Sequence, residues 1–389
     1  MIAKETVTDY WFTIEPYVFI GLTNKCVLLY NTLDCATIES DESEVINLLQ
    51  EMLQKKNYGV ILLSEKRLQN KSINDFITEL REKYMGDIID TTLSKGKPIQ
   101  LIPFFNFSST DRLKLYKKHN FSSDRNILAN LSEISIHVDS TTDSRKLISF
   151  LQSVPDRLIF NIVGNLGKLT NYEELLSFLN QCSSPKNIVC SYKSVIPIKP
   201  AFKNNFMYNI GVDFPIHSQF WNNSIQMLRN QSLPFEYTFN VSSLNDCQQS
   251  EQLIEQFQIE RCRINPVYTG DNILFFKENI FLSKEDILST HISIRNIFAN
   301  QSINIFDFGK INILPNGDVF SNLNHPSLGN IYKSNIYDIV QKELFEGKSW
   351  LRIRNQAPCD ACVFQWLCPP PSNYEIAIGR PNLCYVKQQ

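Results

Sequence analysis

Four of this chain's ten cysteines fall close together near its end, as Cys359-x2-Cys362-x5-Cys368-x15-Cys384. Thiolates three residues apart, followed by another within a turn or two, can converge on one metal ion or cluster from a short knuckle, with a fourth returning from the tail. Two plainer readings compete. Ordinary buried thiols have no reason to cluster. A Cys-x2-Cys redox pair belongs at the start of a helix after a strand, not beside Cys368 and the run Pro369-Pro370-Pro371. Metal binding accounts for the spacing best.

The chain has 389 residues, 43% hydrophobic and 20% charged, enough for two or three domains with a full core and no need of disulfides. A net charge of −2 without a long Lys/Arg run argues against nucleic acid as a partner, because phosphate binding needs clustered cations. No window approaches the uninterrupted apolar length of a membrane span, and the first residues lack a charged-then-apolar signal pattern. These features lead to the expectation of a cytoplasmic protein whose thiols stay reduced and available to metal.

Three regions must position the cysteine box. Residues 1–95 read as a small α+β, winged-helix-like module. Runs at 17–20 and 27–30 are joined by Thr23-Asn24-Lys25 as a hairpin. Asp41 is expected to cap a helix burying Val45, Leu48, Leu49, Met52 and Leu53. Ser72, with Asp75 three residues on, is expected to cap a second helix burying Ile73, Phe76, Ile77, Leu80 and Tyr84. The small sheet leaves an edge to which an extended peptide can add, although the same residues would also serve simply as a cap on the domain behind them.

Residues 96–300 alternate between strand-like stretches (134–138, 158–163, 188–192, 207–213, 236–241 and 261–267) and amphipathic ones (172–179, 220–228 and 247–257). Such alternation predicts an α/β fold, parallel strands covered by helices in a partial (β/α)6 barrel, with ligands at the carboxyl ends of the strands. The isolated Cys26, Cys35, Cys182, Cys190, Cys247 and Cys262 read as packing residues. None of His119, His137, His217, His291 and His325 has metal-motif spacing. No nucleophile has a sequence-visible base, so no catalytic residue is assigned.

Residues 301–389 carry the most specific signal. The hairpin Leu314-Pro315-Asn316-Gly317-Asp318-Val319-Phe320, the turn Leu328-Gly329-Asn330-Ile331 and the four-cysteine box together resemble a SPASM domain, the auxiliary-cluster extension of radical-SAM peptide maturases. With Gln356-Ala357-Pro358-Cys359 and the stretch from Trp366 to Glu375, the chain resembles over its length the pseudo-radical-SAM/SPASM proteins of Bacteroidales-type ribosomal peptide maturation systems.

The resemblance implies that Cys359, Cys362, Cys368 and Cys384 hold one outer 4Fe-4S cluster, with a tetrahedral zinc as the alternative that spacing does not separate. It also implies that a first cluster has been lost, its ligands replaced near Asp307, near Asn322 and at Ser372. The turn after the first barrel strand, Asp139-Ser140-Thr141-Thr142-Asp143-Ser144-Arg145, has no cysteine, and Cys-x3-Cys-x2-Cys occurs nowhere in the chain. Gly164-Asn165-Leu166-Gly167 stands where such a barrel carries Gly-Gly-Glu. Without the reducing cluster no S-adenosylmethionine radical chemistry is expected.

The expected function is therefore that of a non-catalytic accessory protein, binding the leader of a precursor peptide, an active radical-SAM/SPASM maturase, or both. The rivals are an electron donor acting through one 4Fe-4S cluster, and a metalloenzyme of another class using the barrel mouth.

Overall fold

A computed structural model describes residues 9–93, 96–100, 106, 127–199, 201–202, 205–231 and 233–386. His119 lies outside them.

The chain is a mixed α/β protein built around a nine-stranded, mostly parallel sheet. Its first six strands are β7 (Glu133–Val138), β8 (Ile159–Gly164), β9 (Lys186–Ser191), β10 (Phe206–Asp213), β11 (Phe235–Val241) and β12 (Cys262–Pro266). They match the six expected stretches to within a residue or two at most ends and lie parallel in chain order. On the outer side of β7 the sheet continues with β13 (Lys310–Ile313), parallel to it, then β14 (Asp318–Phe320) and β15 (Gly329–Asn330), both antiparallel. The Leu-Pro-Asn-Gly-Asp stretch is thus a true hairpin, and Leu-Gly-Asn-Ile is its third strand. Gly317, at φ +86°, supplies the left-handed backbone that the turn requires.

Burial alternates strictly along β7, β9 and β10, so one face is core and the other is not. The core face packs Ile134, Ile136, Ile188 and Ile210 against Leu147, Leu175, Leu179 and Leu228 of the helices Ser144–Leu151, Tyr172–Gln181 and Ser218–Asn230. Each fully buried aliphatic chain contributes about 1.5–3 kcal/mol.

The opposite face is polar rather than helix-covered. It carries a half-exposed polar ladder in which Asn161 donates to Glu133 (2.6 Å), Asn187 to Asn161 (2.7 Å), Asn209 to Glu236 (3.1 Å) and Asn265 to Asn240 (2.8 Å). Period-two alternation of Asn, Thr and Glu with Ile and Val is the signature of a half-wet sheet.

Ahead of this sheet stand two antiparallel three-stranded sheets. One has the order β5-β1-β6 (Val60–Leu63, Tyr10–Ile14, Gly86–Asp90); the other is the meander β2-β3-β4 (Val18–Leu22, Val27–Asn31, Thr37–Ser40). They share a core with the helices Ser43–Met52 and Lys71–Glu82.

Both expected caps shift. Glu42, not Asp41, is the N-cap of the first helix and makes no side-chain cap. The second helix starts a residue before Ser72, with the Asn70 side chain accepting from Ile73 N (3.2 Å). Asn at the N-cap competes well with Ser, and Ser72 bonds Glu42 instead. Leu53 is only half buried. Tyr84, expected in the core, is 79% exposed at the helix end, where the backbone turns left-handed at φ 54°.

The meander is buried on both faces. Val18, Val27 and Leu29 enter the module's own core, while Phe19, Leu28 and Tyr30 join a second core with Phe364, Leu367 and Cys368 of the cysteine box and Ile287, Ile292 and Ile297 before the hairpin. At their closest the two regions touch through backbone: a Cβ added to Gly21 would overlap the Val363 carbonyl. Gly21→Val should therefore destabilise the chain by about 1–3 kcal/mol, as overpacking does, and expose the box to limited proteolysis. An unchanged urea midpoint and digestion pattern would refute the close docking.

Candidate metal centre

Each cysteine of the box is set by a local backbone device. Cys359 opens a single 3-10 turn, closed by Cys362 N donating to the Cys359 carbonyl (3.2 Å). Cys368 follows the Phe364–Leu367 turn, its N–H donating to the Phe364 carbonyl (3.0 Å). Cys384 returns because the tail pairs with residue 282: Leu282 N donates to Leu383 O (3.0 Å) and Tyr385 N to Leu282 O (2.9 Å).

All four cysteines line one cavity, with Arg354, Gln365 and Asn382 among its other walls. Among the described residues, no three His, Cys, Asp or Glu side chains form a group that could hold a metal ion. Burial pushes the thiols of Cys359 and Cys362 up, and that of Cys368 up to about 12. A metal there would have to displace those protons, since thiolates are the ligands.

Behind the cavity lies a support that spacing did not announce. Arg354, only 9% exposed, points Nη1 at Cys359 Sγ (3.8 Å) and Nη2 at Glu375 Oε1 (2.9 Å), while its Nε donates to the Pro369 carbonyl. Burial disfavours its charge, but Glu375 and the cysteines outweigh this and hold its pKa up. Glu375 also accepts from Ser372 N (2.7 Å), closing a capping box on the helix Asn373–Ile378. Asn382 donates to Cys384 Sγ (3.2 Å). Hydrogen bonds of this sort orient sulfur ligands and tune what they bind. In sequence Arg352-Ile353-Arg354 looks like a solvated loop; only Glu375, three residues after Ser372, hinted at a helix start.

Two of the positions linked by the resemblance to lost ligands, Asp307 and Asn322, meet, and the third, Ser372, lies one residue from their contact. Asn322 Nδ2 donates to Asp307 Oδ2 (3.0 Å) and touches Asn373 Oδ1, next to Ser372. Arg352 donates to the Pro371 carbonyl (3.0 Å) and stands 3.7 Å from Asp307. A polar knot thus joins the segments around 307, 322 and 372. Burial pushes the Asp307 carboxyl up, and burial followed by Arg352 pushes His325 down.

Elsewhere Cys190 lies in the core of the main sheet, with burial pushing its thiol up to about 12, and Cys182, Cys247 and Cys262 pack against the same core. Cys26 lines a cleft with Cys362 between the module and the box. His137 contacts Asn312 (3.3 Å) and His291 the Thr32 carbonyl (2.7 Å).

The turn after β7 bonds to itself: Thr141 N and Oγ1 donate to Asp139 Oδ1 (2.7 and 2.6 Å), and Asp139 N donates to Thr142 Oγ1 (3.0 Å). Asp143 caps the next helix through Arg145 N and Lys146 N. Gly164, at φ +126°, lies so close to Val138 that a Cβ would meet its carbonyl at 2.5 Å.

No family model matches the chain, and no curated protein does. A solved structure described as "Native anSMEcpe with bound AdoMet and Cp18Cys peptide" is similar at a TM-score of 0.42 and 12% identity, over 61% of this chain and 88% of that one. A likeness of that degree carries no conclusion about this chain's activity. Among the described residues, no helix is long and apolar enough to cross a membrane.

Two outcomes follow from this geometry. Glu375→Gln leaves Arg354 buried without its counter-charge and should cost about 3–5 kcal/mol in urea unfolding; a loss under about 1 kcal/mol would show the pair to be dispensable. The ordinary pKa of His325 is about 6.5, and its folded value lies lower. Its contribution is thus fully present above pH 6.5 and is lost as pH falls through the folded value. His325→Gln should flatten the fall in stability between pH 7 and pH 5; an identical pH profile would remove His325 as its source.

Proposed function

We propose that the chain is a non-catalytic accessory protein in the maturation of a ribosomally made peptide. In this reading residues 1–95 form a leader-recognition module, 96–300 a degenerate radical-SAM-like barrel, and 301–389 a SPASM-like domain. Cys359, Cys362, Cys368 and Cys384 hold its one metal site.

The observation that carries the reading is the contrast between two places. Four thiols converge on one cavity in the tail, whereas the turn at the carboxyl end of β7, where ligands of parallel sheets sit, spends its polar groups on itself and has no cysteine. Four thiolates fill a metal's sphere and leave no open position for substrate, which suits a structural role. A single zinc, with sulfur at about 2.3 Å, draws its ligands tightly together. The resemblance makes a 4Fe-4S cluster the preferred occupant, with one zinc as the alternative that four thiolates also fit.

The peptide-facing part of the proposal is the groove between β4 and the helix Lys71–Glu82, bordered by Ile38, Ser40, Glu42, Asp75, Phe76 and Glu79. On the other edge of the meander, Asn106 accepts from Ile20 N (2.9 Å) and donates to Val18 O (3.0 Å); at the outer edge of β4, among the described residues, only the Thr37 carbonyl is engaged, by Lys83 Nζ (2.8 Å), and a leader adding to β4 would displace that side chain. Lys71 also lines the groove, and Glu79 and Glu39 are paired with Lys83 and Lys284, so Asp75 is the carboxylate that would take a basic residue of the leader. A partner maturase would receive the leader from this edge.

The test is one preparation, purified without oxygen. The expected result is about four iron and four sulfide per chain, no 5′-deoxyadenosine from S-adenosylmethionine and a strong reductant, and saturable binding of a basic leader that Asp75→Lys weakens at least ten-fold. Reductive cleavage of S-adenosylmethionine would end the proposal. About one zinc without sulfide would keep the accessory role and replace the cluster; electron transfer from a cluster to an active maturase would favour the donor role instead.

A further inference from the structure

We propose that an open cleft beside the polar knot is a binding site for an oxyanion, the phosphate or carboxylate group of a small molecule. The cleft is lined by His325, Lys348, Arg352, Arg354 and Arg380, against which Glu375 is the one lining carboxylate. Glu375 is already committed to Arg354 at 2.9 Å. Arg352 is answered only in part, by Asp307 at 3.7 Å. Lys348 and Arg380 are exposed at the rim and form no ion pair among the described residues.

Behind the wall of this cleft Arg352 Nε, and His325 Nε2, a donor in only one of the two tautomers, are buried and have no hydrogen-bond partner. Buried donors are nearly always satisfied, and an acceptor with two or three oxygens is the group that a guanidinium fork and neighbouring cations bind best. Arg380 is already held in position, its guanidinium 5.8 Å from the centre of the Phe281 ring. The Arg354–Glu375 contact is an internal example of the same chemistry, a carboxylate taken by a guanidinium within this loop. The site does not rest on the accessory role, but it adjoins the cysteine cavity, since Cys359 and Arg354 line both.

The experiment is isothermal titration of the full, metal-loaded chain at low ionic strength with inorganic phosphate and, separately, with succinate. Saturable binding at one site per chain is expected, weakened by added salt and at least ten-fold by the pair Lys348→Ala and Arg380→Ala. Lys348→Glu alone, on an exposed residue, should weaken it as well and guards against a folding defect in the pair. Tighter phosphate points to a phosphoryl group as the natural ligand, and tighter succinate to a carboxylate. Absence of saturable binding by both anions, or affinity unchanged in both variants, would overturn the site.

Discussion

The structure hangs on a strand pair that is dry on both sides. β3 is buried along its whole length, so successive residues, which point to opposite faces, must each find a core. Leu29 finds one inside the N-terminal module, and Leu28 and Tyr30 find theirs under the cysteine box. The first and last parts of the chain are thereby held by one pleated surface. The Tyr30 hydroxyl adds a polar lock, accepting from Ile292 N at 2.9 Å. Loss of order at either end would leave apolar area wet at the other, which makes the module and the box a single cooperative unit.

Much of this was legible. The six parallel strands could be read from β-branched runs alternating with amphipathic stretches, because period and length are local properties. That Cys359, Cys362 and Cys368 line one cavity was legible from spacing, because two of the three intervals in the box are too short for the chain to separate those thiols far. The third was not. Cys384 reaches the cavity only by pairing its backbone with residue 282, and nothing in fifteen intervening residues encodes that partner.

What escaped reading is tertiary in the same sense. Phe19 and Tyr30 look like ordinary strand residues; that their face meets Phe364 and Leu367 is decided three hundred residues later. The helix caps shifted because Asn70 and Ser72 are both competent, and the choice between them depends on Glu42 across the module. Arg354 and Glu375 appear as surface charges in sequence and are a buried pair in the fold. A charge is stable there because Glu375, the Pro369 carbonyl and the Cys359 sulfur take its donors at once. The knot of Asp307, Asn322 and Asn373 shows the same logic, with side-chain amides joining a carboxyl group.

The amide of Asn106 has a further consequence. By meeting both a donor and an acceptor of β2, one side chain does at that edge what a neighbouring strand would do. An edge so occupied has no free backbone pattern to offer a second copy of the chain. Among the described residues the meander's other edge is β4, four residues long, and a symmetric pairing of two molecules there would occlude the groove beside it. Self-association by strand exchange and use of that groove would thus be mutually exclusive.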